Sequence, residues 1–112
     1  MVKLNRNELK KIKVNSLSLA KYFYENEIED IAVIQRLIYL VFFELIEKEN
    51  ILLELGEEFQ AWPRGPVLEK VFFDMTKCWK KYGNYEELFN KIPSLNNKVI
   101  IRYCQEWVIY YH

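Results

Sequence analysis

The nine residues from Phe59 to Val67, Phe-Gln-Ala-Trp-Pro-Arg-Gly-Pro-Val, constrain this chain more than any other stretch. Pro63 fixes φ and has no amide to donate, and Gly65 can adopt backbone conformations closed to residues with a side chain. Pro66 suits the first turn of a helix, which predicts that a helix opens there. The backbone path is therefore nearly dictated. Phe59 and Trp62 offer large apolar surfaces that pin the turn to a core, whereas Arg64 sits between two prolines with its guanidinium directed elsewhere.

The rest of the chain can supply that core. At 112 residues and 51% hydrophobic, it reads as one domain, residues 1–112, rather than a disordered segment. Its 16 basic and 16 acidic side chains cancel, so no broad electrostatic pull on nucleic acid or an anionic membrane is expected. A local exception is Lys3 to Lys13, with five positive charges against Glu8; it reads as a solvated helix face or frayed terminus, or as a nucleic-acid arm. Cys78 and Cys104 read as small buried hydrophobes, and with His112 the single histidine, no zinc site and no cofactor are expected. Cysteine usage and the lack of a cleavable signal pattern point to the cytoplasm. The most apolar run, Leu37 to Ile46, is too short to span a bilayer and carries Glu44, so it predicts a central buried helix.

Periodicity orders the elements. A short charged helix is expected over Asn7 to Val14, then one capped by Ser16 and running to about Asn26, then a long one from an Asp30 N-cap to Glu49. Residues 51–62 fit a small β-hairpin or an extension of the preceding helix. Pro66 should open a helix ending at Gly83, with Val67, Val71, Met75, Cys78 and Trp79 inward. A short helix over Tyr85 to Ile92 and a last one from a Ser94 cap to Tyr111 complete the set. The last helix should turn Val99, Ile100, Tyr103, Cys104, Trp107, Val108 and Tyr111 inward. The expected fold is mainly α: a compact bundle of about five to six helices around a central apolar helix.

The ordered motifs resemble a known family. In the Panacea, or SocA-like, antitoxin domain, found also in phage-associated GepA-like proteins, a phenylalanine, an Ala-Trp pair, two further residues and Gly-Pro lead into a helix. Here these are Phe59, Ala61-Trp62 and Gly65-Pro66. Ile34-Gln35-Arg36-Leu37-Ile38-Tyr39 resembles the family's Leu-Gln-Lys-Leu-Leu-Tyr helix, Leu19 to Phe23 its opening helix, and Lys80-Lys81-Tyr82-Gly83 the end of the helix after Gly-Pro. The likeness covers Leu17 to Gly83. Pro63 and Arg64 depart from a basic or polar residue and an aromatic one, Arg36 replaces a lysine, and the chain ends at His112 without the Leu-Thr-His and Pro-Trp region that often closes the domain. The resemblance implies a protein that neutralises a toxin encoded beside it by direct contact, in one branch as an adaptor that delivers the toxin to a protease. It also implies a small β-hairpin or extended pair near residues 51–62.

No reaction is expected of this sequence. Histidine-based acid and base work has only the terminal His112, the three glycines lack a phosphate-binding spacing, and Glu57-Glu58 and Glu86-Glu87 point adjacent carboxylates apart. No small-molecule substrate and no membrane partner follow from it. Seven phenylalanines, eight tyrosines and three tryptophans exceed the needs of a small helical core, so the surplus fills a core, a homodimer seam or a surface for another protein. Ile101, Ile109 and Tyr110 lie off the main stripe of the last helix. Gln35, Arg36, Tyr39, Arg64 and Tyr110 are the candidate partner contacts; the alternative for the first three is a Tyr39 packed inside and a polar pair ending a buried network. Phe59, Trp62, Gly65 and Pro66 are assigned to the scaffold. A mobile-element inhibitor of another host protein and a small nucleic-acid-binding regulator are the competing functions.

Overall fold

The computed structural model describes residues 8–112. These form a mainly α fold, 59% helical, with five helices and a small antiparallel hairpin.

The longest helix, α2 (Ile31–Glu49), starts where Asp30 accepts hydrogen bonds from the Ala32 and Val33 amides at 2.8 and 3.3 Å. No proline or glycine interrupts it, and it stops where Asn50 enters the left-handed region at φ 53°. Ile34, Leu37, Ile38, Val41 and Leu45 are buried along it.

Helix α1 (Ser16–Glu25) is capped by Asn15, whose Oδ1 accepts from the Leu17 amide at 2.9 Å. The expected cap, Ser16, is instead buried and donates its hydroxyl to Glu57 Oε2 at 2.7 Å.

The charged helix expected over Asn7 to Val14 is, where described, strand β1 (Lys10–Lys13), paired in parallel with β2 (Ile51–Glu54). The pattern Lys-Lys-Ile-Lys alternates, with the lysines exposed and Ile12 packed against the core. Its register partner, Leu53, is buried on β2. A distant segment thus supplies the hydrogen bonds, which no local window displays. The rest of the basic segment from Lys3, residues 3–7, lies outside the described residues.

The antiparallel hairpin falls downstream of its expected place: β3 (Phe59–Trp62) pairs with β4 (Gly65–Leu68). Pro66 lies within β4, and helix α3 (Glu69–Tyr82) begins only after it. The reason is in the ladder. Gln35 on α2 occupies both backbone groups of Leu68, so Leu68 turns them away from β3; alternation then puts Pro66, opposite Ala61, at another non-bonded position. A residue without an amide loses nothing there. Gly65, at φ +124°, brings the chain back from the Pro63-Arg64 turn.

The N-cap residue of α3, Leu68, has no capping side chain, and Glu57 supplies the service from a distance, its Oε1 accepting from the Lys70 amide at 2.8 Å. Val71, Met75 and Cys78 face inward as expected, but Val67 belongs to β4 and Trp79 is 52% exposed. Gly83 ends the helix in the left-handed region.

The short helix α4 (Glu86–Phe89) falls inside its expected span. The last helix, α5 (Lys98–Tyr111), is capped by Asn97 rather than Ser94. The extended approach lets Leu95 pack against the core, while Ser18 and Lys21 of α1 donate to the carbonyls of Pro93 and Ile92, both at 2.7 Å. Ile100, Tyr103 and Cys104 are buried, whereas Tyr111, expected inward, is exposed. Tyr103 and Arg102 reach Glu49 at 2.7 and 3.4 Å, and Trp107 Nε1 donates to Glu44, which joins α5 to α2.

Candidate functional site

The hairpin stands between two helices and is held by aromatic rings on both faces. Successive side chains of a strand alternate, so Phe59 and Trp62, three positions apart, face opposite ways. Phe59 packs edge-on against Tyr39 and Phe42 of α2, both with centroids at 5.3 Å. Trp62 packs against Phe72 of α3 at 5.1 Å. Trp62 and Phe72 both line a cleft of about 550 Å³.

Each wall has a local cause. The first turn of α2 brings Ile31 and Ala32, and the next turn Gln35 and Arg36. Trp62 of β3 and Pro63 and Arg64 of the turn line the cleft from the hairpin, with Pro66 and Val67 of β4 and Phe72 of α3 completing the wall. Arg36 and Arg64 are the charged lining groups, both exposed. The ion pairs among the described residues, Lys48 with Glu44 and Arg102 with Glu49, involve neither.

The five candidate contacts therefore separate. Arg36 and Arg64 meet at the cleft from two different elements. Gln35 reaches it too but is only 3% exposed, and its amide is engaged at both ends by Leu68, so it serves the scaffold and has no free group for a partner. Tyr39 is half-buried between Phe43 and Phe59. Tyr110, 81% exposed beside Trp107, lies on α5, which gives the cleft no wall. Of the scaffold residues, Gly65 and Phe59 hold the hairpin, while Trp62 and Pro66 also line the cleft.

Phe72 and Val67 were absent from the sequence candidates. Phe72 stands just off the inward stripe of α3, next to an exposed Phe73, and that aromatic pair is the signal that could have marked it. Val67 followed the helix assigned to Pro66, and only the strand register moves it into the cleft wall.

A second depression, about 600 Å³ and more open, is bordered by Lys13, Asn15, Glu54 and Lys70 and mixes both charges. Among the described residues no group of three or more histidine, cysteine, aspartate or glutamate side chains could hold a metal ion, and no helix is long and apolar enough to cross a membrane. Burial pushes the Cys104 thiol up to about 12. Burial, and then the hydrogen bond to Glu86 at 2.8 Å, pushes the Tyr24 phenol to about 12 as well. Both effects keep the group neutral, the reverse of what a thiolate nucleophile or a phenolate base requires.

No protein-family model, curated protein or solved structure matches this chain.

Proposed function

We propose that this chain is a protein-binding domain of the antitoxin type, which neutralises a cognate toxin by direct contact in the cytoplasm and catalyses no reaction itself. One observation carries the reading: the motif residues Trp62 and Pro66, which resemble those of the Panacea domain, line one apolar cleft together with Arg64 of the turn and Arg36 of the Gln-Arg helix. Trp, Tyr and Arg are the residues that dominate binding energy at protein interfaces, because they combine large desolvated area with directional hydrogen bonds. In this reading α2 is the axis of a helical bundle, supported by its contacts with α1, α3 and α5, and the hairpin is the presenting element. Inhibition follows by occlusion: the partner's working surface is covered, and no bond is made or broken.

The test is co-expression with the product of the adjacent gene. The expected result is that the neighbour alone arrests growth, that this chain restores it, and that the two proteins co-purify. Failure to co-purify would remove the reading.

A further inference from the structure

We infer that the hairpin groove takes a short segment of the partner protein in which a carboxylate stands beside apolar side chains; this rests on the protein-binding reading and names the chemistry of its ligand. The charged residues of the lining are Arg36 of α2 and Arg64 of the turn, and neither is in an ion pair among the described residues. Guanidinium groups bind carboxylates with paired, charge-assisted hydrogen bonds, so a ligand anion is the complementary partner. The nearby carboxylate of Asp30 already accepts from the Ala32 and Val33 amides. The rest of the lining, Trp62, Pro66, Val67 and Phe72 above all, demands apolar groups next to that anion.

The edge of β4 says how the segment is held. Gln35 takes both backbone groups of Leu68, and Pro66, next on the same edge, has no amide. An added strand needs alternating donors and acceptors, and this edge offers it only the Pro66 carbonyl. Side chains therefore carry the recognition. The volume of about 550 Å³ falls in the range of small-ligand sites, which suits a few side chains rather than a broad face.

The test uses the full chain, the double variant R36E/R64E and the variant A32W, which fills the groove from an exposed position on its wall. Circular dichroism and urea unfolding establish that each is folded. A random peptide library is panned on the unaltered chain, and synthetic peptides of the enriched sequences are measured by fluorescence anisotropy at low and high salt. The expected peptides carry Asp or Glu next to apolar residues, bind more weakly in high salt, and lose about tenfold or more in affinity to each variant. No enrichment, enrichment without acidic residues, or binding to either variant as tight as to the unaltered chain would overturn the inference. So would N-acetyl-leucine binding as tightly as the peptides, since a small carboxylate would then be the occupant. The two readings fail separately. If the neighbouring gene product binds the unaltered chain and R36E/R64E alike, the groove chemistry is wrong and the antitoxin reading stands. If the peptides behave as expected while the neighbour does not bind, the antitoxin reading falls and the groove stands.

Discussion

Gln35 clamps Leu68: its Nε2 donates to the Leu68 carbonyl and its Oε1 accepts from the Leu68 amide, both at 2.9 Å and both buried. A side chain thus completes the β4 edge as another strand would. Replacing it with leucine leaves a buried donor and a buried acceptor without partners, each costing about 1–3 kcal/mol, so Q35L should lose about 2–6 kcal/mol in urea unfolding.

Glu57 joins two helix starts through one carboxylate, accepting from the Ser16 hydroxyl and from the Lys70 amide. E57A should cost about 1–2 kcal/mol, the range of a lost N-cap. S16A and E57A should then be non-additive, with a coupling of about 0.5 kcal/mol or more in a double-mutant cycle followed by chemical denaturation.

A methyl group on Gly65 would meet no atom within 4 Å, yet φ of +124° lies where L-residues are strained. G65A should therefore destabilise by about 1–2 kcal/mol through the backbone alone. G83A, at φ +72° near the ordinary left-handed well, should cost less. Differential scanning calorimetry of the two variants checks the order.

Alkaline pH should weaken the fold in a defined window. The Cys104 thiol rises from 9.0 to about 12 on folding, and the Tyr24 phenol from 10.0 to about 12. Burial raises Tyr22 and Tyr85 in the same direction, and the hydrogen bond to Glu49 raises Tyr103. An acid whose pKa is higher when folded stabilises fully below its unfolded value and loses that contribution as pH climbs to its folded one. Urea midpoints should accordingly show no loss from these groups up to about pH 9 and fall between about 9 and 12. At pH 8 iodoacetamide should spare Cys104 in the folded protein and label it once urea has unfolded the chain.

Features decided within a few residues were legible in the sequence. Asp30 capping α2, Asn50 following its last residue and Gly83 ending α3 are all local signals, and each of these boundaries stands where it was expected. The displaced elements share another cause. Lys10–Lys13 is a strand because Ile51–Glu54 lies beside it, and the strand that holds Pro66 ends at Leu68, which Gln35 clamps from 33 residues away. Asn15 displaces Ser16 as a cap because a carboxylate 41 residues away claims the serine. Each is a contact between segments distant in sequence. The candidate site divides in the same manner: Arg36 and Arg64 were individually visible as outward charges, but their meeting at one apolar cleft depends on where the hairpin packs.

The parallel pairing of β1 with β2 sets an order of events during synthesis. β1 leaves the ribosome before β2, which follows only after the whole of α1 and α2 has been made. Until then the strand has nothing to pair with, and closing the ladder costs the loop entropy of two intervening helices. A growing chain can therefore assemble α1 and α2 while β1 waits, and removal of β1 would leave the apolar edge at Ile51 and Leu53 open to a strand of another molecule.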